Sequence, residues 1–352
     1  MTAPGVQGGP LRVAVHVGQL LQPVPGGIGR YVRSLLAALP SAAVDPVAFA
    51  AGAVPGATDL GWPHGSLRYE LWHRARRPAV RVAGDVVHAT SLAVPPPGGR
   101  PLVVTVHDLV FLRQPEHLTR RGVSFHRRGL ELARREAAAI VVPTEFGRDD
   151  LAREGFDPSR IHVAPHGVAP PVPSDLAPPV PGPYLLFVST LEPRKGVDDL
   201  LDAHAALRRA HPDVQLVLAG PRGWGPPPDT DRPGVVVVGN LDEPALDAAY
   251  RGAVALVVPE RYAGFGLPII EGMARGCPVV TSDAACLPEV GGGAATVVPT
   301  GDVGALTAAL DELLRSASRR AAMAQAGIER AATFTWERSA ALHRAAYEAA
   351  LA

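Results

Sequence analysis

The chain of 352 residues is long enough for two domains of ordinary size. Its formal net charge of 0 and hydrophobic content of 47% describe a soluble globular protein and argue against a nucleic-acid binder. Cys277 and Cys286 alone supply neither a disulfide framework nor a cysteine metal set, and they fit a reducing cytoplasm.

In chain order, residues 1–10 read as a loose tail. They lack a charged region followed by an apolar stretch, so no signal peptide is expected, and no apolar run is long enough to span a bilayer. The first strand is expected over Arg12–Val17. PVPGGIGRY, Pro23–Tyr31, leads from it into an amphipathic helix to Leu39. A strand, a glycine-rich loop at Gly26 and Gly27, and a helix make a potential phosphate cradle. The spacing is not the dinucleotide fingerprint, and a tight strand-to-helix turn accounts for it equally well.

Ser66–Arg81 carries Arg68, Arg74, Arg76, Arg77 and Arg81 with Tyr69, Leu71 and Trp72 interleaved. It reads as a solvated helix or as a patch facing an acceptor or a membrane surface. Strands are expected at Asp85–Ala89 and Pro101–Val106. His107 follows the second at once, at the edge where open α/β sheets collect ligands. The helical pattern over Leu118–Ala139 repeats arginine pairs at 120/121, 127/128 and 134/135, placing them on one face. That stripe is a solvated face or a surface for anionic lipid or an acidic acceptor. Ile140–Pro143 and Ile161–Ala164 are expected strands, with a helix beginning at Glu145 between them.

Ala169–Pro183, APPVPSDLAPPVPGP, is the clearest compositional break and reads as a stiff linker. Domains are therefore expected over 1–172 and 173–335, with a last helix over 336–352. Tyr184–Ser189 opens a second strand–helix series. LEPRKG, Leu191–Gly196, holds Arg194 and Lys195, the only lysine among 34 basic residues. Cations at a strand end can neutralise a leaving diphosphate; a surface pair in a turn is the alternative. Strands are expected at Val214–Ala219, Val235–Val238, Val254–Val258 and Pro278–Ser282. Before the last of these, Gly264-Phe265-Gly266-Leu267-Pro268 feeds a helix running through Met273 and stopping at Gly276. A glycine turn at a helix N-terminus offers free N–H groups and the positive dipole end to phosphate. Glu271, early in that helix, can accept hydrogen bonds from sugar hydroxyls or be a solvated residue. Asp302 reads as an N-cap, and the last helix begins near Trp336.

GFGLPIIEGMARGCPVVTS followed by LPEV, together with LEPRKG and the Gly26 stretch, resembles retaining glycosyltransferases of family 4 from Gly26 to Trp336. The resemblance implies an α/β GT-B fold: two doubly wound Rossmann-like domains facing a cleft. It implies Lys195, Arg194 and the backbone of Gly264, Phe265, Gly266 and Leu267 at the donor diphosphate. It also implies Glu271 at ribose hydroxyls, His107 at the donor sugar, and Gly26 and Gly27 against the diphosphate or acceptor. The family pattern of Glu, seven residues, Glu is met by Glu271, whereas its first position is Ala263; Glu260, three residues earlier, is not an evident substitute.

The implied activity is hexosyl transfer from a nucleoside diphosphate sugar, GDP-mannose first and a UDP-sugar second. The acceptor would be a saccharide, a lipid-linked sugar or a natural product. No cofactor and no metal are implied, and the sequence shows no Asp, His or Cys set with ligand spacing. The enzyme is expected in the cytoplasm, with peripheral contact to the inner membrane face. A sugar-nucleotide epimerase, or a catalytically impaired sugar-nucleotide-binding or partner protein, motivated by Ala263, are the alternatives.

Overall fold

The computed structural model describes residues 10–61, 65–172, 175–223 and 225–352, so the expected tail lies outside the described residues apart from Pro10. Two parallel sheets form the frame. The first contains β1 (Leu11–His16), β2 (Val44–Ala50), β3 (Thr58–Asp59), β4 (Val86–Ala89), β5 (Leu102–Thr105), β6 (Ala139–Val142) and β7 (Ile161–Val163). Its order is β3-β2-β1-β4-β5-β6-β7. The second contains β8 (Tyr184–Val188), β9 (Gln215–Ala219), β10 (Val235–Gly239), β11 (Ala255–Val258), β12 (Val279–Ser282) and β13 (Ala295–Val298), in the order β10-β9-β8-β11-β12-β13. Strand order reverses beside β1 and beside β8, and ligands gather at such switch points, at the C-terminal strand edges.

β4, β5, β6, β11 and β12 are buried at every position, which is why they read as mostly apolar runs broken only by His88, Thr105, Thr281 and Ser282. The connections are α1 (Gly26–Ala38), α2 (Gly65–Ala75), α3 (Val110–Arg113), α4 (Arg120–Glu136), α5 (Glu145–Arg153), α6 (Val197–Leu207), α7 (Glu243–Gly252), α8 (Leu267–Ala274), α9 (Leu287–Gly291), α10 (Val303–Arg315), α11 (Ala317–Ala331) and α12 (Trp336–Leu351). Thr119, Thr144, Asp242, Asp302, Ser316 and Thr335 each accept the N–H three positions into the helix they precede, satisfying donors that have no intrahelical acceptor.

α12 lies on the first sheet. A buried chain of hydrogen bonds joins them, and its direction follows from its ends. His343 Nδ1 must donate to the Ser339 carbonyl (2.7 Å), so its Nε2 accepts from Tyr31 OH (2.8 Å). Tyr31 then accepts from Thr105 (2.8 Å), Thr105 from His88 Nε2 (2.8 Å), and His88 Nδ1 from Tyr347 OH (2.9 Å). The linker is pinned at its start: buried Asp247 accepts from the Val172 N–H (3.2 Å) and from Arg275 Nε (2.8 Å).

The glycine stretch differs from its expected form. Gly26 and Gly27 are the first two residues of α1, not a loop before it. Pro25 already has helical angles (φ −65°, ψ −21°), and its carbonyl accepts the Gly29 N–H at 3.0 Å. Gly29 leaves room for the Pro25 ring, which a β-carbon there would strike. α8 ends at Ala274; Gly276, at φ +69°, turns the chain two residues later.

Candidate active site

The C-terminal edges of the two sheets face each other across a cleft of about 430 Å³. His107, Arg194, Lys195, Gly26, Gly27, Gly264, Phe265, Gly266, Leu267 and Glu271 all line it. Residues over 240 positions apart in sequence thus meet in one place because both switch points open on the same space.

Gly264, Gly266 and Glu271 are set by the turn into α8. Gly266 adopts φ +84° as the N-cap, a conformation that favours glycine. At Gly264 the backbone passes so close to the His107 carbonyl that a β-carbon has no room, and Asp108 Cβ would lie 2.9 Å away. In the first turn of α8 Pro268 has no N–H and Ile269 donates to Gly266 O (3.0 Å), leaving Leu267 with a donor that has no intrahelical acceptor. Glu271 is only 8% exposed; its carboxylate accepts from Tyr250 OH at 3.0 Å and from Arg30 of α1, across the cleft. Arg30 stands inside the quoted PVPGGIGRY stretch, one turn beyond Gly26, and that position was the available signal for it.

The two cations sit in a short 3-10 turn, Pro193–Lys195, between β8 and α6. Lys195 Nζ lies 2.7 Å from both carboxylate oxygens of Glu260, which is 2% exposed. Arg194 donates to Glu192 (2.7 Å) and to the Tyr262 carbonyl (3.0 Å). The Arg261 N–H donates to the Arg194 carbonyl (2.9 Å), so the 193–195 turn and the 259–263 stretch hold each other. The sequence showed Glu260 only as an unconvincing substitute for the family's first Glu, not as the partner of Lys195. The signal was the single lysine: a point charge in a cleft calls for an acidic neighbour. Ala263, 4% exposed, also lines the cleft.

His107 Nε2 donates to the Thr90 carbonyl at 2.9 Å, which fixes the tautomer with the lone pair on Nδ1. Burial lowers its pKa, so the ring is neutral at pH 7 and Nδ1 can accept from a hydroxyl. The Tyr31 ring backs it edge-on, 4.9 Å between centroids. His107 therefore rests on the polar chain that runs to α12. Interdomain contacts brace the cleft from behind: Glu289 accepts the N–H groups of Glu145 (2.8 Å) and Phe146 (2.9 Å), and Tyr262 OH donates to Asp150 (3.1 Å). Among the described residues no group of three His, Cys, Asp or Glu side chains is placed to hold a metal, and no helix is long and apolar enough to cross a membrane.

Comparison with known proteins gives concordant matches. Residues 25–171 match the model described as Glycosyltransferase Family 4, and residues 182–316 that described as Glycosyl transferases group 1. The chain is 30% identical over 257 residues to the O-antigen chain mannosyltransferase B of Escherichia coli, covering 67% of each chain. It is 32% identical over 295 residues to the MMP alpha-(1->4)-mannosyltransferase of Mycolicibacterium hassiacum, covering 76% of this chain and 71% of that one. Among solved structures it is similar to a sucrose-phosphate synthase from Thermosynechococcus elongatus (TM-score 0.73, 20% identity, 96% and 98% of the two chains). It is also similar to Anabaena HepE in complex with UDP and glucose (TM-score 0.70, 17% identity, 95% and 98%). These structures share the GT-B arrangement of two doubly wound domains around a cleft.

Proposed function

We propose, from the premise that this chain belongs to glycosyltransferase family 4, that it moves a mannosyl unit from GDP-mannose to a saccharide, lipid-linked sugar or natural-product acceptor, retaining the anomeric configuration. The observation that carries this reading is the meeting, in one cleft, of Lys195 and Arg194 with the Gly264–Leu267 turn and Glu271. The two curated relatives named above are mannosyltransferases, which puts mannose first. A UDP-sugar is the second donor, since HepE, of the same fold, is seen with UDP and glucose.

As the bond to the anomeric carbon breaks, that carbon becomes cation-like and the diphosphate gains charge. In this reading Lys195, Arg194 and the α8 N-terminus stabilise the leaving diphosphate without a metal ion. Glu260 positions Lys195, and its carboxylate keeps the ammonium paired until phosphate arrives. Glu271 accepts from the ribose hydroxyls, with Tyr250 fixing one oxygen. The Nδ1 lone pair of His107 accepts from a donor-sugar hydroxyl, which aligns the reacting carbon.

One observation favours a binding protein without turnover: Ala263 lines the cleft where the family pattern has a carboxylate. Both relatives are transferases, and the epimerase alternative finds no support in them. The test is to incubate the protein with GDP-mannose or UDP-glucose, with and without lipid and saccharide acceptors, and to measure released nucleotide and glycosylated product. GDP release with a mannosylated product is expected. Donor binding without release across all acceptors would establish the binding protein instead, and an epimerised sugar nucleotide formed without acceptor would establish the epimerase.

A further inference from the structure

A second hollow, of about 370 Å³, lies between the domains beside the donor cleft, within the roughly 300–1,000 Å³ of small-molecule sites. Its first wall belongs to the stretch after α3, where Pro115–His117 makes a 3-10 turn and Leu118 leads toward α4. Its second wall is formed by Glu192, Pro193 and Arg194 with the loop at Gly225 and Pro226. Both walls are held in place. Gln114 Nε2 donates to the Arg261 carbonyl (3.4 Å), which ties the first wall to the second domain. Gly225 takes φ +85° against Pro193, where a β-carbon would come within 3.3 Å of the ring. Arg194 lines this hollow and the donor cleft alike. Glu192 (2.7 Å) and the Tyr262 carbonyl (3.0 Å) fix its guanidinium, so it stands as a post between the two spaces.

We propose that this hollow is an acceptor subsite for a neutral glycan. It seats the sugar next to the one being glycosylated, so the preferred acceptor is an oligosaccharide and not a monosaccharide or an anionic headgroup. The lining has the matching chemistry. Glu116 and Glu192 bring two carboxylates against the one guanidinium of Arg194, and that excess of negative charge opposes a phosphate or carboxylate ligand. Sugar hydroxyls both donate and accept, so carboxylates and a guanidinium find partners on the same ring. His117, whose Nε2 stays 3.9 Å from Glu116, adds a further polar group. Leu118, Pro193 and Pro226 supply apolar surface for the C–H face of a ring. This rests on the transferase reading, in which the anomeric configuration is retained. If the new C–O bond forms on the face where the C–O bond to the diphosphate breaks, with the hydroxyl proton passing to the leaving phosphate, the acceptor lies beside the diphosphate. Arg194 marks that side of the cleft, and an acceptor chain that passes it enters the hollow.

The test uses the full-length chain saturated with GDP or UDP, whichever binds, and ligand-observed NMR titration. The probes are the methyl hexosides of mannose, glucose and galactose, the corresponding di- and trisaccharides, and mannose 6-phosphate. One neutral series should bind, its trisaccharide at least about tenfold tighter than its methyl hexoside, as additional hydrogen bonds to charged groups give. Pro226→Trp, which fills the hollow, should remove that gain, and Glu116→Ala should reduce it about threefold or more. Neither side chain lines the donor cleft, so an unchanged nucleotide titration shows that both variants fold. Absence of binding by every saccharide, a trisaccharide no tighter than its hexoside, or a gain that survives Pro226→Trp would overturn the proposal. So would tighter binding of mannose 6-phosphate than of any neutral probe. Nucleotide that binds while no saccharide does would sink the acceptor subsite alone; failure of the nucleotide itself would sink the donor-site reading.

Discussion

Lys195 and Glu260 form a paired contact in the cleft between the domains, with the ammonium 2.7 Å from each carboxylate oxygen and only 2% of Glu260 exposed. The carboxylate positions the lysine, but it also opposes the approach of a diphosphate. Glu260→Gln removes the negative charge and keeps one acceptor. Nucleoside diphosphates should then bind several-fold tighter, because the lysine charge is no longer offset, while kcat falls about tenfold or more as the ammonium loses its fixed position. Calorimetry and steady-state kinetics on the same variant check both. Weaker nucleotide binding would mean that Glu260 contacts the donor itself.

Arg30 engages the Glu271 carboxylate from the opposite domain. If Glu271 serves ribose hydroxyls, Arg30 bridges the two domains and competes mildly for the same oxygens. Arg30→Ala should therefore change nucleotide affinity by less than about threefold, whereas Glu271→Ala should lose about tenfold or more, the range for charge-assisted hydrogen bonds. Equal losses in titrations of the two variants would show that Arg30 belongs to the nucleotide site.

Gly264 of the second domain lies against the His107 carbonyl of the first, with no room for a side chain. Gly264→Ala should push the domains apart at this point. Turnover should fall at least about tenfold, since the proposed positioning of His107 against the donor is lost, while nucleotide affinity changes little. Small-angle scattering should show a larger radius of gyration. An unchanged radius and unchanged kcat would mean the contact yields without cost.

Acid should unfold the protein through its buried histidines. Burial lowers His343 from 6.5 to about 4, and its Nε2 accepts a hydrogen bond from Tyr31, which protonation would forbid. His16, pushed down to about 3, and His73, pushed down to about 4, are lowered chiefly by burial as well. The unfolded chain takes up these protons first. The stabilisation is complete above pH 6.5 and is lost as pH falls toward 4, by roughly 3 kcal/mol for His343 alone. Urea midpoints should be flat above pH 6.5 and drop steeply below it, with a shallower drop in His343→Gln. A midpoint unchanged down to about pH 4.5 would contradict this.

The inner strands were legible because parallel sheets bury both faces: β4, β5, β6, β11 and β12 stand out as short, mostly apolar runs. β2, β3 and β13 escaped notice because half-exposed residues and Pro46 interrupt the pattern in β2, β3 is only two exposed residues long, and β13 is mostly half-exposed or exposed. The site residues proposed from the sequence all reached the cleft, since glycine turns and strand ends carry local signals. The pairing of Glu260 and the part played by Arg30 were not legible, because they lie in partners 65 and 241 positions away, Lys195 and Glu271. The first pairing follows from β8 and β11 lying side by side in the second sheet and the second from how the two domains face each other, and no local pattern records either.

The most direct measurement is calorimetric titration of the protein with GDP, UDP, ADP and their common sugars, with Lys195→Ala and Glu271→Ala as controls. Selective binding of a guanine nucleotide, GDP-mannose included, weakened in both variants, is the predicted result. It would place the diphosphate at Lys195 and the ribose at Glu271. Selective binding of UDP would keep the site and change the donor. No binding of any nucleotide, or binding indifferent to both substitutions, would contradict the proposed donor site in the cleft.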